Sequence, residues 1–210
     1  MKTPTKISPA VIKRLPRYRR FLIDLRKKGI ERVSSGALSE LMGYTASQIR
    51  QDLNNFGGFG QQGYGYNVDA LSEGIDAILG LCAHYHIIIV GVGNLGRAVA
   101  NYTYFYKNEF EIGAMFDIDP AVIGTQIGGV TVQGVDLLSD YLSGHDVDIG
   151  IITTSRSSAQ SIADVMVGCG VRGIWNFAPT DLEVPEGVAL QAVHLSDSLH
   201  ELVYYINNQK

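Results

Sequence analysis

The run "IIIVGVGNLGRA", residues 87–98, constrains this chain more than any other stretch. Ile87, Ile88, Ile89 and Val90 are all β-branched and read as a strand buried on both faces. Gly91, Gly93 and Gly96 follow it directly and open the helical segment "NLGRAVANYTYF". In a chain with 24 glycines the spacing alone means little; its place between strand and helix gives it meaning. Gly91 permits the sharp turn, Gly93 lets a pyrophosphate reach the backbone, and Gly96 lets helix and strand pack closely. With Val92, Asn94 and Leu95 between them, these residues are expected to seat a diphosphate at the positive end of the helix dipole.

A second strand, "FEIGAMFD", ends at Asp117, 21 residues after Gly96. A carboxylate there accepts hydrogen bonds from ribose hydroxyls and repels a 2′-phosphate, so the expected ligand is NAD(H), not NADP(H). Beyond it, "VTVQG", "DLLSDYLSG", "VDIGIITT", "SSAQSIADVMVGCG" and "VRGIWNFAP" alternate strand with helix. The fold class is therefore α/β, with a Rossmann-type doubly wound parallel sheet. Ligands on such sheets lie beyond the carboxyl ends of the strands. That adds Thr153, Thr154, Asn176, Phe177, Ala178 and Pro179 to the expected cofactor contacts.

Charge is distributed unevenly. Residues 1–60 hold twelve of the seventeen Lys and Arg but four of the twenty-one Asp and Glu, a net of +8 against −12 for the remainder. A basic small domain on an acidic body is the electrostatic signature of a polyanion-binding module. Ser8 and Pro9 start a first helix, which Gly29 ends after "LRKK"; Leu15, Tyr18, Leu22 and Leu25 form its apolar stripe, and Pro16 is expected to bend it or split off its first turn. A short helix follows Ser34 and Ser35, turns Leu38 and Leu41 inward and ends at Gly43. Thr45 and Gln48 stand at capping-box spacing and start a third helix.

Two short helices across a tight glycine turn make a helix-turn-helix, whose second member enters the major groove N-terminus first. Its exposed face would present Ser47, Gln48, Arg50, Gln51 and Asn54 to bases and phosphates, while Ile49 and Leu53 face inward. The segment "FGGFGQQGYGYNV" then reads as a hairpin wing carrying Gln62 and Tyr64. The expected organisation is a winged-helix DNA-binding domain with a linking helix at 1–80, a Rossmann domain at 81–193 and a terminal helix at 194–210. Leu199, Leu202, Val203 and Ile206 give that helix an apolar stripe suited to a partner chain.

An oxidoreductase needs a substrate domain and an acid/base group at the nicotinamide. Only about thirty residues follow residue 180. His84 and His86 precede the first strand of the body, His145 the fourth, and His200 lies on the terminal helix; all four read as solvated or structural. His194, just before that helix, is the better candidate. Cys82 and Cys169 are the only cysteines, read as small, partly buried thiols; without metal-ligand spacing they give no reason to expect zinc. No apolar run is long enough to span a membrane, and the N-terminus lacks a secretory h-region, so a cytoplasmic location is expected.

Taken together, "RVSSGALSEL", "IRQDLNNFGGFG", "GYGYNV", "VGVGNLGRA", "FDIDP" and "NFAP" resemble the Rex family of redox-sensing transcriptional repressors over essentially the whole chain. The resemblance implies a homodimer on double-stranded operator DNA, with its terminal helices exchanged and released from operators by NADH but not by NAD+. It implies Arg50 as the recognition-helix arginine and Tyr102 beside the nicotinamide pocket. Three positions depart from the family pattern: Gln51 stands where many members have a basic residue, Gln62 where the wing carries arginine, and His194 where an aspartate precedes the swapped helix. The alternatives left open by the residues are an NAD-dependent oxidoreductase and a CoA-binding-domain protein.

Overall fold

A computed structural model of the chain describes residues 7–54, 60–61, 64–102 and 109–208. The chain divides into two compact units, Met1–Ala83 and His84–Lys210. That division falls three residues beyond the expected boundary, and the terminal helix belongs to the second unit.

In the first unit, α1 (Pro9–Lys27) starts where expected, with the Ser8 hydroxyl accepting from the Val11 N–H and proline in the first turn. It runs unbroken through Pro16. Pro16 and Ile12, whose carbonyl loses its usual helical donor at Pro16, are both exposed. Strand β1 (Arg32–Val33) leads to α2 (Ser35–Met42), capped by Ser34 and closed by Gly43 at φ +68°. Leu41 does not turn inward: it is 45% exposed, and Met42 takes the core position instead. Thr45 is the cap of α3 (Ala46–Asn54), its hydroxyl accepting from the Gln48 N–H at 3.1 Å.

The hairpin of β2 (Gly60–Gln61) and β3 (Gly65–Asn67) pairs antiparallel, and β1 joins it to give the order β1-β3-β2. Gly65, at φ +72°, is required here, since a Cβ would lie 2.7 Å from the Val33 carbonyl oxygen. Helix α4 (Val68–Ile78), capped by Asn67, buries Leu71 and Ile75 beside Leu15, Tyr18, Leu22, Leu38, Ile49 and Leu53 in one core.

The second unit is a seven-stranded sheet in the order β10-β9-β8-β4-β5-β7-β6. Its strands are β4 (Tyr85–Val90), β5 (Phe110–Asp117), β6 (Gln126–Ile127), β7 (Val130–Gly134), β8 (Ile149–Ile152), β9 (Gly173–Asn176) and β10 (Ala189–Ala192). All pair parallel except β6, which folds back on β7. Helices α6 (Leu138–Gly144) and α7 (Arg156–Gly168) cover one face, where Ile88, Val90, Phe116, Ile152, Ala163 and Met166 are buried. On the other face α5 (Asn94–Asn101) sits over Ile89, Met115 and Ile151.

Helices thus lie on both faces of the sheet, as expected, with α5 alone on the second face among the described residues. No helix lies between β5 and β7 or between β9 and β10 among the described residues. An apolar groove of about 390 Å³ lined by Ile87, Phe110, Ile149, Ile151 and Trp175 stays open on the sheet. Helix α8 (Leu195–Asn208) is as open: each of its residues is exposed, Leu199, Leu202, Val203 and Ile206 included. Among the described residues no helix is long and apolar enough to cross a membrane.

Candidate functional site

In the first unit, α3 is held by a polar cluster that sequence periodicity did not reveal. Asp52, with the apolar pair Ile49 and Leu53, faces inward and is fully buried. Arg14 grips its carboxylate with both Nε and Nη2 at 2.7 Å; the Tyr18 hydroxyl donates to it at 3.0 Å and Gln48 Nε2 at 2.8 Å. Burial alone would push the Asp52 carboxyl up, but the bonds from Arg14, Gln48 and Tyr18 outweigh it and hold the group below its ordinary value. Burial, and next the neighbouring Asp52 charge, drive the Tyr18 hydroxyl far above its ordinary value.

This assigns the helix faces. Ser47, Arg50, Gln51 and Asn54 are exposed as expected. Gln48 is not free to read bases: it is half-buried and its amide nitrogen serves Asp52. Arg50 Nη1 donates to Ser35 Oγ at 3.0 Å, so Arg50 and the start of α2 lie together. Ser34 is exposed beside it while its hydroxyl caps α2. Thr45 is exposed at the start of α3, and Tyr64 on the wing is 71% exposed. Gln62 lies outside the described residues.

In the second unit a cleft of about 440 Å³ opens at the carboxyl ends of β4, β5 and β8. Gly91, Gly93, Asp117, Thr153 and Thr154 line it, with Ser155, Ser158 and Ser161 from the loop and first turns of α7. Each glycine has a physical reason. Gly91 sits at φ +93° with Thr153 backbone packed against it, so a side chain there would be both strained and blocked. A Cβ on Gly96 would overlap the Gly91 carbonyl oxygen, which also accepts from the Thr153 hydroxyl. Around Gly93 there is open space on the cleft side, which a pyrophosphate needs for close approach.

Asp117 Oδ2 accepts from the Val92 N–H and Oδ1 from the Asp119 N–H at 2.9 Å. The acid therefore ties the end of β5 to the glycine loop. Thr154 Oγ1 is buried without a hydrogen-bonding partner at the cleft wall. Such orphaned groups are few in native structures. Asn94, Leu95 and Gly96 form the first turn of α5, with no side-chain cap on the helix start.

Other expected contacts fall elsewhere. Asn176 is buried and turned inward, Oδ1 accepting from the Ala178 N–H at 2.9 Å and Nδ2 donating to the Thr180 carbonyl at 2.7 Å. It shapes the "NFAP" loop instead of presenting its side chain to a ligand. Ala178 is buried, Phe177 packs on Trp175 with centroids 4.6 Å apart, and the Pro179 carbonyl accepts from Arg156 Nε at 2.8 Å. Tyr102 ends α5, at the far end from the glycine loop, and does not line the cleft. His194 meets Asp181, Nε2 to Oδ1 3.2 Å. Cys82 is exposed, not partly buried as expected, and Cys169 is half-buried.

A helix-turn-helix with a wing in one unit and a glycine-loop nucleotide cleft in the other define a DNA-binding protein that carries its own dinucleotide-binding domain. Residues 6–54 match the family model for a putative DNA-binding protein N-terminus, and residues 83–180 that for a CoA binding domain. The chain is 51% identical over its whole length to the redox-sensing transcriptional repressor Rex of Thermoanaerobacter pseudethanolicus, covering 94% of that protein. Over 96% of its length it is 54% identical to Rex of Clostridium botulinum, of which 96% is covered. Among solved structures, RSP in complex with beta-NAD+ and operator DNA matches with a TM-score of 0.91 at 52% identity, covering 98% of this chain and 94% of that one. RSP in complex with beta-NADH matches at 0.89 and 49%, covering 98% and 96%. The chain belongs to the Rex family of redox-sensing transcriptional repressors.

Proposed function

We propose that this protein is a transcriptional repressor that binds double-stranded operator DNA as a homodimer and senses the ratio of NADH to NAD+, without catalysing hydride transfer. The observation that carries this reading is Asp117. It stands at the end of β5, hydrogen-bonded to the glycine loop, in a chain whose other unit exposes Arg50, Gln51 and Asn54 on a capped recognition helix. Gly91, Gly93 and the start of α5 receive the pyrophosphate, Asp117 the adenosine ribose, and the Thr154 hydroxyl gains the partner it lacks. Phe177–Pro179 and Tyr102 do not line the cleft, and their assignment to the nicotinamide half rests on the family resemblance alone.

The two coenzymes differ at the nicotinamide by one positive charge. A site closed by apolar groups prefers the neutral reduced ring, because burying an unpaired cation is costly. A ligand shifts a conformation only by its difference in affinity between two states. NADH therefore favours a closed dimer whose recognition helices no longer match one turn of DNA, about 34–36 Å. The dimer itself is inferred from the open sheet groove and from α8, two apolar surfaces within one unit that a second copy of the chain can cover reciprocally. The protein acts in the cytoplasm, where operator DNA and the coenzymes are found together.

The test is an operator fragment titrated with protein at fixed salt, with saturating NADH, NAD+ or NADPH. NADH is expected to weaken binding, NAD+ and NADPH to leave it nearly unchanged. Equal operator affinity with NADH and NAD+ would overturn the reading. Steady oxidation of NADH in the presence of an organic carbonyl substrate would favour the oxidoreductase alternative, and purification with bound CoA the other.

A further inference from the structure

At the opposite end of the sheet from the nucleotide cleft, three side chains converge that nucleotide sensing does not use. His84 directly precedes β4, His86 is its second residue, and Glu111 is the second residue of β5. Alternation along a strand places His84 and His86 on the same side. The parallel register pairs His86 with Glu111. All three are exposed, and one ligand atom from each lies within 4.8 Å of the others. Glu111 Oε2 is 3.2 Å from His84 Nε2 and 3.9 Å from His86 Nε2, with the two rings edge to face at 5.7 Å.

We propose that His84, His86 and Glu111 form a Zn2+ site. Two ligands on one tetrahedral zinc, each about 2.0–2.1 Å from the metal, stand about 3.3 Å apart. The separations from Glu111 are close to that, and small side-chain rotations supply the rest. Two imidazoles and one carboxylate suit zinc better than calcium or magnesium, which take oxygen donors. Three protein ligands leave a fourth position for water.

The backbone beneath the site is held in place. The His86 N–H donates to Asp148 Oδ2 at 3.0 Å, and the Asp148 N–H donates back to the His86 carbonyl at 2.9 Å. Arg172 holds the other carboxylate oxygen of Asp148. The Tyr85 N–H donates to the Glu109 carbonyl at 2.9 Å, so the starts of β4 and β5 are registered before any ion binds. A metal there joins the two strands. Four residues of β4, Ile87–Val90, at about 3.3 Å each lie between His86 and Gly91, so the site does not compete with the dinucleotide. Sequence spacing missed the site because two ligands come from one strand and the third from its neighbour, and the cysteine pattern is silent about histidines.

The experiment is calorimetric titration of the tag-free, metal-free full-length chain with Zn2+ at neutral pH, repeated on H84A/H86A and E111Q. Cobalt is used in parallel to read the visible d–d bands of a tetrahedral site. Wild type is expected to bind one equivalent at this site. Glu111→Gln is expected to weaken it at least about 10-fold, the loss that even an outer-shell change produces in metal sites. The double variant is expected to lose that equivalent and the tetrahedral cobalt spectrum. NADH affinity, expected to be the same in all three proteins, verifies that the sheet is intact. The proposal is overturned if wild type binds no zinc, or if the double variant, with NADH affinity intact, keeps the same stoichiometry and affinity.

Discussion

Arg14 and Asp52, 38 residues apart in sequence, form a two-pronged ion pair with both bonds at 2.7 Å, the guanidinium of α1 locking the recognition helix α3 to the core of its unit. The carboxylate is 1% exposed and the guanidinium 22%, so water compensates little if one partner is removed. Asp52→Ala leaves Arg14, the Tyr18 hydroxyl and the Gln48 amide without their acceptor. It is expected to lower the unfolding free energy by about 3 kcal/mol, the low end for breaking a buried pair. Urea unfolding followed by far-UV circular dichroism measures this; an unchanged midpoint would contradict it.

The same pair sets an acid limit. The folded-state pKa of Asp52 is depressed, burial being outweighed by the bonds from Arg14, Gln48 and Tyr18. The unfolded chain takes up this proton at about pH 4, the folded chain only at lower pH. The stabilisation is therefore complete above about pH 4 and is lost as pH falls through that value toward the depressed folded one. Asp148 shifts the same way, its burial outweighed by the His86 N–H and Arg172. Urea midpoints from about pH 5 to about pH 2 are expected to fall less steeply in Asp52→Asn than in wild type.

Gly96 is a packing constraint on cofactor binding. A methyl group there would overlap the Gly91 carbonyl and press on the Thr153 hydroxyl, so Gly96→Ala must displace either α5 or the glycine loop. NADH binding, followed by coenzyme fluorescence, is expected to disappear. Unit 1 has its own core, so operator binding is expected to persist but no longer to respond to NADH.

Asp117 both accepts from the Val92 N–H and faces the cleft. Asp117→Ser removes the charge-assisted acceptor and the repulsion toward a 2′-phosphate. NADH affinity is expected to fall about 10- to 100-fold, corresponding to about 1.5–3 kcal/mol for a charged hydrogen bond. Preference for NADH over NADPH is expected to narrow, and competitive titration of the two coenzymes would reveal any other outcome.

Leu202 lies on the open stripe of α8 and is 53% exposed. If a second copy covers it, Leu202→Asp places a charge in that interface, against about 1.5–3 kcal/mol from burying each leucine. Sedimentation equilibrium is expected to show a shift from dimer to monomer, with weaker operator binding. An unaltered mass would place the dimer contact elsewhere.

Local features were legible in the sequence because they depend on neighbours a few residues away. The Ser8, Ser34 and Thr45 caps, the Gly29 and Gly43 stops and the strand–glycine–helix order at 87–98 stand where the residues predict them. Pairings between distant segments were not legible, because packing chooses them and no local periodicity records them. Only the tertiary structure turned Asp52 toward Arg14 and Gln48 toward Asp52, folded Asn176 under its own loop, added β10 and β6 to the sheet, and placed Glu111 beside His84 and His86. A strand or a helix can be proposed from one stretch of chain, whereas a buried charge or a three-residue metal site needs partners that only the folded chain brings within bonding distance.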